Sequence, residues 1–462
     1  MLAFIKMAEG EQSVTRLRII ALAIALGQYV AQPAHADNLL DIYHKALAND
    51  ARYAAALGAH QAGIEKLPQG RASLLPTLTV TGEKTRFDSE IEYTGTTSFE
   101  GGDRRYEERR GTATLTQPLY RKQNFATYQQ SKAQYQAAEA QLVLAKQDLI
   151  LRAAQTYFDL LSAQQVLAAA SAHAAATKAA FEQARAKLRV GAASRLEFSE
   201  AKARADIAHS QEIAAGNEVI NKRQALRRVT HETPTTLDEL APNYPLVPPS
   251  PNAADEWVRL AERDNAQLVA LRHNLRAAEQ EVVRARGGHH PNIDLVAQYT
   301  ATNSTGSVYT SAESDTHIKS AGVRLELPLY QGGLIGSKVR EAVGNLEKAR
   351  GELEDAQRDM TSQVIQLFNT TASGVEQVRS LDQALLSSQE AAKASRVGLD
   401  VGTRNFVEVL DADKLVYEVA RELTKAWQEY VMSSLRLKAF AGQLSENDLF
   451  VLNSYLVPPS GR

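Results

Sequence analysis

Val401-Gly402-Thr403-Arg404-Asn405-Phe406-Val407-Glu408-Val409-Leu410-Asp411 decides how this chain is read, because a degenerate copy stands upstream as Val190-Gly191-Ala192-Ala193-Ser194-Arg195-Leu196-Glu197-Phe198-Ser199-Glu200. The two glycines set the offset, 402 − 191 = 211, and Tyr135, Leu142 and Leu149 map onto Leu346, Leu353 and Met360 at the same offset. Heptad phase kept over that distance marks an internal duplication. A chain that repeats a long helix, a glycine turn and an acidic pair offers the same face to equivalent neighbours. That pattern predicts a wall around an axis, a tube with no catalytic cleft.

The composition narrows the function class. The chain has 462 residues, 6% aromatics and a formal net charge of −2, so it carries no basic field for nucleic acid and no long like-charge run. It has 0 Cys, which removes disulfides, thiolate metal sites, Cys nucleophiles and a lipid-modified N-terminal Cys. Arg16 and Arg18 precede the apolar run from Ile19 to Leu26, and Ala34-His35-Ala36 follows as a small-residue cleavage site. Residues 1–36 therefore read as a secretory signal peptide, with Asp37 starting the mature chain. The apolar run is well short of the ~20 residues that a spanning helix needs, and no longer one follows. If the mature chain crosses a bilayer, a closed β-barrel must do it.

From Asn38 to about Lys66 the pattern is that of one helix, with Leu40, Tyr43 and Leu47 on a stripe and Leu67-Pro68-Gln69-Gly70 as its stop. Thr77–Thr81 and Thr112–Thr116 alternate at period two and read as a hairpin with a long loop. Beyond Pro118-Leu119-Tyr120 no Gly or Pro occurs before Arg189, which predicts a helix of roughly 70 residues and ~100 Å. Tyr128, Tyr135, Leu142 and Leu149 recur every seven along it, with Ser131, Ala138 and Ala145 three later, as a narrow packing seam. Gly191 turns the chain into a second helix, Arg195 to Arg228.

Prolines crowd residues 232–254, which join the copies as a non-helical linker. The second copy repeats the order: a helix from Ala253 to Arg286, strands Asn292–Thr300 and Lys319–Leu327, Pro328-Leu329-Tyr330, a long helix to Val401 and a last one to about Gly442. The expected organisation is a first repeat over 37–231, the linker over 232–254, a second repeat over 255–444 and a C-terminal tail over 445–462. Ile293, Leu295, Ala297 and Tyr299 alternate with Asp294 and Gln298, and Val323, Leu325 and Leu327 alternate with Arg324 and Glu326. Such alternation suits a transmembrane strand with lipid on one face and a lumen on the other. About four strands per chain cannot close a lumen, whereas three copies supply roughly twelve, which points to a homotrimer.

These residues give the chain a resemblance to the TolC family of outer-membrane efflux and type I secretion channels, over essentially the whole mature sequence. The resemblance is carried by the duplicated helix and strand order, Pro-Leu-Tyr at 118–120 and 328–330, and the stretch at 401–411. It implies a mainly α fold with membrane β: a trimeric α-helical barrel tunnel in the periplasm joined to one shared β-barrel in the outer membrane. It further implies a passive conduit for type I protein secretion or multidrug efflux, served by a periplasmic adaptor and an inner-membrane ABC or proton-driven pump. At the closed periplasmic mouth the resemblance places an acidic ring on Glu408 and Asp411, and a latch on Arg404 with Gly402 and Glu197. Gly191 and Glu200 are secondary candidates of the first copy. The family's Tyr latch falls on Leu399, and Glu200 is an acid where the family's first repeat usually has an uncharged polar residue. Either the acidic belt is wider here, or Glu197 and Glu200 pair with Lys202 and Arg204 along their helix. Glu408 and Asp411 also suit a helix start, where acids complement the dipole.

Weaker signals stay structural. His289-His290 lacks companion ligands and reads as a helix-to-strand junction. Gly332-Gly333 has no following Lys-Ser or Lys-Thr pair and reads as a bend. Tyr120, Tyr299, Tyr309 and Tyr330 fit an interfacial aromatic belt. No Ser-His-Asp set, paired carboxylates in a pocket or cofactor fingerprint emerges, so no enzyme and no cofactor is expected. The rival reading is a periplasmic coiled-coil adaptor or scaffold, which shares the signal and long helices but has no use for lipid-facing hairpins.

Overall fold

A computed structural model of the chain describes residues 37–96, 98, 101–232, 236–241 and 244–458. The expected signal peptide, and Pro234 and Pro242 of the linker, lie outside the described residues. The first helical stretch is three helices, α1 (Leu39–Asn49), α2 (Ala51–Ile64) and α3 (Lys66–Ala72), where the sequence pattern suggested one. The first break is at Asp50, whose extended backbone and side chain cap α2 by accepting from Tyr53 N at 2.7 Å. Arg152 holds the same buried carboxylate at 2.8 Å. Pro68 does not stop the helix, because in the first turn of α3 its missing N–H has no intrahelical partner to lose.

The period-two segments extend into β1 (Thr77–Ile91) and β2 (Gly102–Tyr120). Then follow α4 (Lys122–Arg189), α5 (Arg195–Thr230) and the short β3 (Glu239–Leu240). The second copy opens with α6 (Ala254–Asp264) and α7 (Ala266–Arg286), again two helices where one was expected. Asn265 makes this break: its Oδ1 accepts from Leu268 N at 3.0 Å while its Nδ2 donates to Phe440 O at 2.9 Å. A 3-10 turn at Gly287–His289 leads into β4 (Asn292–Ser304) and β5 (Ser314–Glu326), followed by α8 (Leu334–Asp400) and α9 (Phe406–Phe440). The 445–462 segment is more than a tail: it carries α10 (Glu446–Asn453), with Leu449 fully buried, and β6 (Leu456–Val457), which pairs with β3.

The main core lies at the waist, where Ile42 and Tyr43 of α1, Leu149 to Leu161 of α4, Leu226 of α5, Val431 and Leu435 of α9 and Leu449 of α10 meet. Away from it, packing relies on small residues. A Cβ added to Gly63 falls 2.4 Å from Ala138 Cβ, and one added to Gly70 falls 2.3 Å from Ser131 Oγ. Gly63 and Gly70, seven apart, thus face the Ser131 and Ala138 seam, seven apart in the antiparallel sense. Gly70 serves close helix approach.

The sheet order is β1-β2-β4-β5, all antiparallel. Registered partners share a face, so Leu78, Leu115, Ala297 and Ala321 form one row and Val80, Ala113, Tyr299 and Lys319 the next. The opposite face pairs Thr77 with Thr116, Thr79 with Thr114 and Thr81 with Thr112. Val80 is 74% and Val323 65% exposed, so this greasy face has no cover among the described residues. Among the described residues no helix is long and apolar enough to cross a membrane. Where sheet meets helix, Arg121 clamps the buried Asp294 with two of its guanidinium nitrogens, Nε at 2.7 Å and Nη2 at 2.5 Å.

Gly63→Val should overpack the α2–α4 contact and cost about 1–3 kcal/mol. Gly58→Ala on the same helix, where an added Cβ meets nothing, should be neutral or raise stability by up to ~1 kcal/mol. Thermal melts of the two purified variants check the contrast.

Candidate functional site: the two helical turns

The two turns singled out in the sequence are built alike. Gly191 and Gly402 adopt φ of +73° and +78°, the left-handed backbone that closes a helix end. Ala192 N bonds Lys187 O at 2.8 Å, and Thr403 N bonds Gly398 O at 2.8 Å, each satisfying a carbonyl of the ending helix. The next helices start on capping residues at equivalent places. Glu197 N donates to Ser194 Oγ at 3.1 Å and Ser194 N donates to the Glu197 carboxylate at 2.9 Å. Glu408 N donates to Asn405 Oδ1 at 2.9 Å, and Asn405 Nδ2 donates to the Glu408 carboxylate at 3.1 Å. Glu197 and Glu408, one offset of 211 apart, therefore occupy the same position, but Glu197 closes a capping box on the backbone N–H of its cap whereas Glu408 accepts from the side chain of its cap.

Within one chain Arg404 donates to Glu408 at 3.1 Å, four residues along its own helix start, with both side chains well exposed. Gly398 makes this possible, since a Cβ there would lie 2.6 Å from Arg404 Cγ. Asp411 bonds Arg204 on α5, which ties the second helical hairpin (α8 and α9) to the first (α4 and α5). Arg204 thus turns away from Glu197 and Glu200 along its own helix; neither carboxylate makes an ion pair with it or with Lys202 among the described residues. Glu200, one helical turn beyond Glu197, is half-buried. Leu399, in the place of the family's Tyr latch, offers no hydroxyl.

Sequence reading missed the contacts that support this end of the hairpins. His173 of α4 stacks on Tyr417 of α9, with ring centroids 5.3 Å apart and planes 4° from parallel. Burial pushes the His173 imidazole below its ordinary range, Asp413 and Glu418 pull it back up, and Lys414 lowers it further. Arg396 of α8 bonds Asp413 at 2.7 Å and joins the two helices of its own hairpin. No local pattern flags these pairs. The capping at Ser194 and Glu197 did have a signal, the Ser-x-x-Glu box.

Comparison with known proteins matches this architecture. The family described as Outer membrane efflux protein matches residues 42–230 and 257–443, one match per repeat. Alkaline protease secretion protein AprF of Pseudomonas aeruginosa is 30% identical over 421 residues, covering 90% of this chain and 87% of that protein. Outer membrane protein TolC of Vibrio cholerae is 28% identical, covering 96% of this chain and 98% of that protein. The fold is shared with the Campylobacter jejuni CmeC outer membrane channel, with a TM-score of 0.75 at 17% identity over 91% of this chain and 90% of that one. Proteins of this kind work as trimers beside adaptor and inner-membrane pump proteins. With both repeats matched and no catalytic role in the family, the chain belongs to the outer membrane efflux proteins and is a TolC-type export channel of the outer membrane that extends into the periplasm.

Proposed function

We propose that the 190–200 and 401–411 turns form the gate at the periplasmic mouth of the trimer. Glu408 and Asp411 make the acidic ring, Arg404 with Gly402 and Glu197 the latch, and Gly191 and Glu200 the first copy's share. The supporting observation is the Arg204–Asp411 bond, which joins the two helical hairpins of one chain beside both turns. Copied around a threefold axis, closely spaced carboxylates raise one another's proton affinity and attract cations. The chain has no nucleotide motif, so the work of export falls to an inner-membrane pump engaged through a periplasmic adaptor. For the cargo we favour a secreted protein delivered by an ABC-type pump, because AprF is named for protease secretion. Small-molecule efflux, in line with the family's description, is the second reading.

Glu408→Ala with Asp411→Ala should weaken divalent-cation block of single-channel conductance while the trimer persists; unchanged block removes the ring assignment. Arg404→Ser should raise conductance, and since the pair is exposed the shift in closed-to-open ratio should stay within about fivefold. A parental value rules out the latch. A deletion strain should lose an extracellular protein and keep its drug tolerance. The reverse pattern assigns the channel to small molecules.

A further inference from the structure

Directly above the apolar rows, the outward face of the first hairpin changes character within one row. Gly82 is registered with Gly111, and a Cβ built on either meets nothing within 4 Å. Two facing glycines weaken a strand and leave a side-chain-free window where neighbouring rows carry Val80 and Ala113. The rim of that window is basic. Lys84 is registered with Arg109 and Arg86 with Glu107, all on the lipid-facing side by strand parity. Lys84 Nζ bonds Glu107 at 2.9 Å, and Arg86 and Arg109 act on the same carboxylate, so three cations share one acid. One row higher the charges balance, with Arg105 bonded to Asp88 at 3.1 Å. On this face of the first hairpin the excess of positive charge lies between the apolar rows and the balanced Arg105–Asp88 row.

We propose that Lys84 and Arg109, over the Gly82–Gly111 window, bind the phosphate of an outer-leaflet glycolipid of the lipid A type. A phosphate matches the paired cations, and the bare backbone lets a sugar headgroup lie against the sheet. Each copy of the chain then carries one such site on the outside of the barrel, apart from the conducting path. A lipid is the source because the window opens sideways, on the same face as Leu78 and Val80.

The test uses the purified, delipidated trimer in detergent, titrated with lipid A, with enzymatically dephosphorylated lipid A and with inorganic phosphate, and read by native mass spectrometry. Lipid A should bind, and Lys84→Gln with Arg109→Gln should weaken it by at least about tenfold. Gly111→Leu, which fills the window and keeps every charge, should weaken it as well. The swap Lys84→Arg with Arg109→Lys should retain binding and show that the site tolerates cations of either kind. Equal binding by the Gln variant, equal binding of the dephosphorylated lipid, or full competition by inorganic phosphate would each overturn the proposal.

Discussion

The constraint on which the structure depends is the pair of open sheet edges. β1 and β5 are the sheet's edges, each with a row of backbone N–H and C=O groups that no strand among the described residues pairs, and hydrocarbon supplies no partner. Because the sheet has an even number of alternating strands, β5 of one copy meets β1 of the next in the antiparallel sense. Closure by rotation therefore needs no change of strand direction. Everything below follows that axis. The helices hang from the strand ends through corners such as Arg121–Asp294, so the symmetry of the barrel sets the symmetry of the tunnel.

At the far end, the proposed gate is laid over capping. Glu197 has a local task, since it closes a capping box on Ser194 N, and Glu408 has a related one, since its carboxylate accepts from the side-chain amide of its cap, Asn405. A carboxylate that already has a structural reason to sit there is available for a role at the mouth at little extra cost. Asp411 differs. It lies beyond the first-turn cap, and its partner Arg204 belongs to the other hairpin. The acid nearest the turn fixes the local backbone, while the one above it joins two helical hairpins.

The fold was legible where a regularity is repeated. The offset of 211, the Gly- and Pro-free run to Arg189 and the alternation from Ile293 to Tyr299 each correspond to an observed element. Breaks at Asp50 and Asn265 were hidden, because the apolar pattern passes through them and only a tertiary partner, Arg152 or Phe440, makes the cap worth keeping. Gly70 read as a stop because a glycine needed for close approach to Ser131 looks, in one dimension, like one needed for a turn. The acids at the turns were found by resemblance. Arg204–Asp411 and His173–Tyr417 join residues more than 200 positions apart, and no periodicity in one strand of text encodes which of many exposed arginines or histidines will meet which acid or ring.

The shared offset has an evolutionary corollary. By the offset of 211 Glu197 and Glu408 take the same place after their turns, yet Arg404 aligns with Ala193 and Asn405 with Ser194. The two copies share a frame and differ in chemistry. One half of the duplicated gene can drift in its charged decoration while the other preserves the frame, so differences in selectivity among such tubes can accumulate without rebuilding the pipe.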